Sequence, residues 1–376
     1  MIPRTRDFAL EVYFSKWEFA AKYHLTASDA QSMTLGELLG HASPTDRARF
    51  ENLHLGYTKT FGAEPLLAEI AGTYDAIKPD QLLCFAGAEE GIYVAMRTLL
   101  GPDDHCIVVT PNYQAAETIP LSICAVSGVG LDENNHWSLD LDRLKALIRP
   151  STRLISINFP NNPTGAILPR STFDGLVTLC RQHGIWLFSD EVYRLIEREP
   201  ALRLPQVADV YDRGISLNVT SKSYGLPGLR IGWLACQDRA LLARCERYKH
   251  YLSICNSAPS ELLAEIALKA REPILARNRG IVRDNLALLT PFFADFPELF
   301  DWREPDGSCV GFIRYKGADG VEAFTTRLVE DTGVLLLPSS IYKSELGPVP
   351  AEYFRIGFGR HGMAEGLTVF RNWLRS

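Results

Sequence analysis

Seven short apolar runs, each followed by a turn signal or a helical pattern, constrain this chain more than any other feature of it. The runs are Leu82–Ala86, Cys106–Thr110, Ala125–Leu131, Leu154–Phe159, Ile185–Ser189, Ile215–Val219 and Ile231–Cys236. Continuous rather than alternating apolarity marks strands covered on both faces, and stretches between them such as "STFDGLVTLCRQHG" carry helical periodicity. The prediction is an α/β fold with a seven-stranded, mostly parallel sheet and helices on both faces. In such sheets ligands bind beyond the carboxyl ends of the strands, so the polar clusters directly after these runs are where chemistry is sought.

Beyond about residue 258 the pattern changes to long helical stretches, then to a tail containing "CVGFIRYKG" and "GVLLLPSS" that reads as α+β. The predicted division is a large domain over 44–275 and a smaller one made of 276–376 with residues 1–43. The first forty-odd residues lack strong strand signals and are expected to pack on the smaller domain. A length of 376 residues accommodates two domains, and 46% hydrophobic with 22% charged residues is the composition of a globular protein. A formal charge of −6 offers no footprint for a nucleic-acid backbone. No stretch approaches the ~18 apolar residues of a membrane span, and "MIPRTRDFALEVYF" has no uninterrupted apolar core of a leader. Eight cysteines, none in a CxxC pair and most inside apolar runs, read as reduced core residues, and the expected location is the cytoplasm.

The polar clusters at the ends of the runs are suggestive only as a set. After the first run comes "GAEEGI", where Gly87 at a strand end precedes a helical pattern opening with Ala88, Glu89 and Glu90. Free N–H groups at a helix start hold anions, although a plain strand-to-helix turn explains the same residues. "PNY" with Tyr113 comes after the second run, and "PNNPTG" with Asn162 after the fourth; either is also a turn built from good turn formers. Asp190 in "DEVY" closes an apolar strand, where burial calls for a cationic partner or the residue caps a helix. "NVTSKSYGLPGLRIGWLA" adds Ser221, Lys222 and Arg230 after the sixth run. All these converge on one rim. An anion cradle, an aromatic stacker, an amide donor, a carboxylate and an amine together match the needs of pyridoxal phosphate.

From "LGYTKTFGAEPLLAEIA" to "YFRIGF" these motifs, in this order, resemble the class I/II aminotransferases, the fold-type-I enzymes that include aspartate and histidinol-phosphate aminotransferases. The resemblance implies that Lys222 carries the cofactor as a Schiff base and moves the substrate proton. It implies that Asp190 pairs with the pyridinium nitrogen, that Tyr193 and Asn162 bond the phenolic oxygen, and that Tyr113 stacks on the ring. The backbone N–H groups of Ala88 and Glu89, with Gly87, Ser221 and Arg230, would hold the phosphate. Tyr57 would reach the phosphate of a neighbouring subunit, which implies a homodimer with shared sites, and Arg355 would pair with the substrate α-carboxylate. Two departures stand out: Val219 replaces a usual serine or glycine three residues before the lysine, and Glu89 replaces a small polar or aspartate side chain.

The implied reaction is a ping-pong exchange of an amino group between an L-amino acid and a 2-oxo acid. The same constellation also serves lyases and arginine-type oxidases or hydroxylases; a non-catalytic regulatory domain is the remote alternative, disfavoured because no helix-turn-helix precedes residue 45. The N-terminal element Trp17-Glu18-Phe19 resembles arginine-processing PLP enzymes, the arginine hydroxylases related to capreomycidine synthase. That likeness implies that Glu18 is a lid carboxylate meeting a substrate guanidinium; an amphipathic helix with Glu18 in water is the competing reading.

Overall fold

The computed structural model describes residues 6–376. All seven predicted strands form: β1 Leu82–Phe85, β2 His105–Thr110, β3 Ala125–Gly130, β4 Thr152–Asn158, β5 Trp186–Asp190, β6 Gly214–Val219 and β7 Gly232–Cys236. They make one sheet in the order β1-β7-β6-β5-β4-β2-β3. The pairs from β6 to β3 are parallel, and β7 runs against both of its neighbours. Because β1 and β6 oppose the same strand, they point the same way, and their carboxyl ends share a rim with those of β2 to β5. The antiparallel β7 begins at that rim, which brings Arg230, two residues before it, to the same place.

Burial explains the apolar runs. Every residue of β1, β2 and β7 is buried, and β4 exposes only Arg153. Helices Ala88–Leu99 and Arg170–His183 each bury one apolar stripe, the first through Ile92, Val94, Ala95, Met96 and Leu99. At roughly 1.5–3 kcal/mol for each buried large aliphatic side chain, these stripes fix the helices on the sheet. Helix Ala258–Lys269 is buried from Glu261 to Leu268, so its near-continuous apolarity reports a helix enclosed on all sides.

After the 24-residue helix Arg271–Ala294, a second, antiparallel sheet runs in the order Leu337–Pro338, Tyr353–Gly357, Val310–Tyr315 and Phe300–Asp301. The N-terminal segment packs against this part of the chain. Tyr23–His24 form a short strand beside Val334–Leu335, a pairing too brief to leave a strand signal in the sequence. The Leu25 carbonyl accepts from the Gly357 N–H at 2.9 Å, and helix Ala9–Trp17 is tied by the Tyr13 hydroxyl to the Leu336 carbonyl at 3.0 Å.

All eight cysteines are free; six are buried, while Cys124 and Cys255 are half-buried. No helix among the described residues is long and apolar enough to cross a membrane. Nor is there, among them, a cluster of three or more His, Cys, Asp or Glu suited to a metal ion.

Candidate active site

At the rim, a cavity of about 580 Å³ is lined by residues from five strand ends and from the N-terminal segment. Ala88, Glu89, Tyr113, Asn162, Asp190, Tyr193, Ser221, Lys222 and Arg230 all reach it. So does Glu18.

Gly87 is where the chain turns from β1 into its helix, with φ at 98° and no side-chain cap on the helix start. Only glycine takes that backbone conformation readily. A Cβ there would also collide with the Arg230 guanidinium, and a Cβ at Gly232 would come within 2.9 Å of the Ala88 nitrogen. Two glycines thus let the guanidinium and β7 close around uncapped N–H groups, which makes a concave anion cradle. Arg230 itself has φ at 51° and donates to the Ala86 carbonyl at 3.4 Å.

Asp190 closes β5, pairing in register with Asn158 on β4. Burial raises its carboxyl to about 6, against the Val192 N–H and the Lys222 charge, which favour the anion. The Lys222 amine donates to the Ser28 hydroxyl at 2.8 Å, and burial lowers its pKa below that of an ordinary lysine. Its nitrogen stands 6.0 Å from the Tyr193 ring centroid. Tyr193 is 1% exposed, and burial raises its phenol well above the usual value.

Asn162 Oδ1 accepts from the Tyr342 hydroxyl and from Arg355 Nη1, each at 3.1 Å. Arg355 is fully buried, standing behind Asn162 rather than on the cavity wall, and also donates to Tyr342 at 2.6 Å and to the Thr26 carbonyl at 2.6 Å. Tyr113 packs its ring against Phe8 with centroids 5.2 Å apart. Glu89 turns its side chain to the cavity, and burial lifts its carboxyl to about 7. Tyr57 lies outside the cavity, 92% exposed on a surface loop.

Sequence reasoning missed the rest of the N-terminal wall. Glu11, Phe14 and Glu18 share one face of helix Ala9–Trp17 and its end, and all three line the cavity. Ser28 meets the lysine, and Asp29, 5% exposed, receives Arg360 in a two-pronged pair at 3.0 and 2.8 Å. Apart from Glu18, which the Trp17-Glu18-Phe19 element announced, nothing in the local sequence points to these residues, because they reach the site only when the chain folds back over the sheet.

The Tyr193 hydroxyl, the Ser221 hydroxyl, one Glu89 oxygen and Arg355 Nε are buried without a hydrogen-bond partner. Buried polar groups are seldom left unpaired, so four in one region mark a place built for a ligand. An anion cradle, two free hydroxyls, a buried carboxyl and a buried amine fit pyridoxal phosphate, whose phosphate, phenolic oxygen, ring nitrogen and aldehyde are their chemical complements.

Fold and cavity together define a pyridoxal-phosphate-dependent enzyme of fold type I. Residues 45–368 match the family described as aminotransferase class I and II, and the chain belongs to that family. It is an aminotransferase. Arginine–pyruvate transaminase of Pseudomonas aeruginosa is 31% identical over 84% of this chain and 81% of its own length. Capreomycidine synthase of Streptomyces vinaceus is 28% identical over 96% of this chain and 92% of its own. The crystal structure of a PLP-dependent aminotransferase from Streptococcus suis superposes with a TM-score of 0.92 at 32% identity, covering 99% of this chain and 98% of that one.

Proposed function

We propose that this aminotransferase takes its amino group from an amino acid with a cationic side chain, arginine foremost, and passes it to a 2-oxo acid in a ping-pong exchange. The observation that carries this reading is the acidic helix face, which turns Glu11 and Glu18 into the same cavity as Lys222. Neither forms an ion pair among the described residues, whereas Asp29 on the same wall is already matched by Arg360. A guanidinium entering the cavity would therefore meet carboxylates with capacity to spare. The 31% likeness to an arginine–pyruvate transaminase supports the same donor.

When bound, the cofactor supplies an electron sink for the pair of electrons left at the substrate Cα. The residues of this chain do the rest. Lys222 holds the cofactor and, once released, carries the proton from Cα; its lowered pKa keeps the amine available as a base. Asp190 faces the ring nitrogen and keeps it protonated. Tyr193 and Asn162 bond the phenolic oxygen, and Tyr113 covers the ring. Gly87, Ala88, Glu89, Ser221 and Arg230 receive the phosphate, with the Ser221 hydroxyl and Arg230 making good the hydroxyl that Val219 lacks. Arg355 pairs with the substrate α-carboxylate, and its buried Nε, which has no hydrogen-bond partner, supports that role although the residue does not line the cavity.

Residues 44–275 form the cofactor-binding domain, and 276–376 with the described part of 1–43 form a smaller one that carries the N-terminal wall; residues 1–5 of that division lie outside the described residues. Two chains pair, with Tyr57 of each serving the phosphate of the other; its 92% exposure suits a side chain that waits for a partner. The enzyme works in the cytoplasm. A second reading, lyase or oxidative chemistry on a cationic amino acid, draws on the 28% likeness to capreomycidine synthase. A donor screen with arginine, lysine, glutamate and alanine separates them. Transfer yields a 2-oxo acid and the aminated cofactor without ammonia, whereas release of ammonia or uptake of oxygen would decide for the second reading.

A further inference from the structure

Lys249 is fully buried, and no step of the reaction uses it. Burying an ammonium is costly unless its three N–H groups are matched. All three find acceptors. Lys249 Nζ donates to the Thr60 carbonyl at 2.7 Å, to the Cys84 carbonyl at 2.8 Å and to Asn256 Oδ1 at 3.3 Å.

The acceptors explain the position. β1 is the edge of the large sheet, bonded to β7 on one side only. On its other side the Cys84 N–H donates to the Phe61 carbonyl at 2.8 Å, and the Cys84 carbonyl is left to Lys249. The amine therefore closes the free edge of the strand that runs into Gly87 and the anion cradle. It does so by joining that edge to two surface loops, 54–62 and 250–257.

Further bonds knit the same three pieces together. Asn256 Nδ2 donates to Glu261, which accepts from the Ala63 N–H. The Thr58 hydroxyl donates to the Asn256 carbonyl at 2.8 Å. Glu90 accepts from the Ala86 N–H at 2.7 Å and from the Ser253 N–H at 3.1 Å, tying the second loop to the first residues of the cradle. The outer sides of these two loops carry Leu55, Tyr57, Tyr251, Leu252 and Ile254, an exposed apolar patch with Tyr57 and Tyr251 more than 90% open. Exposed apolar side chains on both loops suit a second copy of this chain.

We propose that Lys249 is a positioning residue that couples the cofactor's phosphate cradle to the two loops on which the partner chain sits. This rests on the dimer of the proposed function. Order in the loops fixes the Cys84 carbonyl and with it the end of β1; loss of the amine frees the cradle and the patch together.

The test is the variant Lys249→Met, which keeps the length and apolar stem. Pyridoxal phosphate is titrated into the apo-protein by absorbance, and association is followed by sedimentation. The cofactor dissociation constant should rise about tenfold or more and the dimer should weaken, while KM for the amino donor at saturating cofactor stays within about twofold. Thr58→Val, which removes only the loop-to-loop bond, should move both quantities in the same direction by a few-fold, and carries the test if Lys249→Met does not fold. A lowered melting temperature with cofactor affinity unmoved would reduce Lys249 to a structural role. A dimeric wild type in which both variants bind cofactor normally overturns the coupling alone; a monomeric wild type overturns the dimer first and the coupling with it.

Discussion

Asn158 and Asp190 face each other across β4 and β5, and the Asn158 side chain joins two parts of the site: its amide donates to the Asp190 carbonyl at 2.9 Å, and its oxygen accepts from the Asn162 N–H at 2.8 Å. The end of β5 that carries Asp190 and the turn carrying Asn162 are thereby held as one unit. Asp190→Asn, which keeps the shape and removes the charge, should lower kcat on the order of a thousandfold. Asn158→Ala should cost about tenfold through misplacement alone. Steady-state kinetics on both variants checks this, and near-normal turnover in Asp190→Asn would sink the assignment.

Lys222→Ala should abolish turnover while the protein still folds and binds pyridoxal phosphate without a covalent link. Borohydride reduction of the wild type should label Lys222. Because burial lowers the pKa of this amine, covalent loading of the apo-protein should already be fast below the pH at which ordinary lysines lose their proton. Peptide mapping after reduction and loading rates against pH are the measurements.

Glu18→Gln removes one of the two charges on the acidic helix face. The ratio of kcat/KM for arginine over alanine should fall by about tenfold, with alanine itself little changed. An unchanged donor ranking would return Glu18 to the role of a solvated surface residue.

Tyr57→Phe should impair activity, and mixing it with Lys222→Ala chains should restore part of it through hybrid dimers that hold one intact site. Absence of recovery, with subunit exchange verified, argues against sharing.

Glu191 is next to Asp190 in the chain but points away from the cavity, accepting from the Val207 N–H at 2.9 Å and the Ser216 hydroxyl at 3.0 Å, with its second oxygen unpartnered. Burial raises its carboxyl to about 7. The folded protein thus holds this proton where the unfolded chain has released it. Its contribution to stability is complete below the ordinary glutamate range and is lost as pH climbs to about 7, a fall of ~3 kcal/mol. Urea unfolding of the apo-protein at pH 5 and pH 8 should show the loss, and Glu191→Gln should narrow the difference.

The sequence by itself determined the large sheet, because strands buried on both faces leave uninterrupted apolar runs that no surface segment would carry. It also determined the rim residues Gly87, Tyr113, Asn162, Asp190, Lys222 and Arg230, since each lies directly after or before such a run and the sheet must bring strand ends together. Tertiary structure decided the other wall of the cavity. Glu11 and Phe14 come from the N-terminal helix, Ser28 and Asp29 from the segment after Tyr23–His24, whose place depends on contacts with Val334–Leu335 and Gly357, more than three hundred residues away from the helix, and Arg360 follows Gly357. It likewise decided that Arg355 stands behind Asn162 and that Lys249 closes the free edge of β1. Periodicity records which face of an element is buried; it carries no record of which distant carbonyl or carboxylate a buried charge will meet.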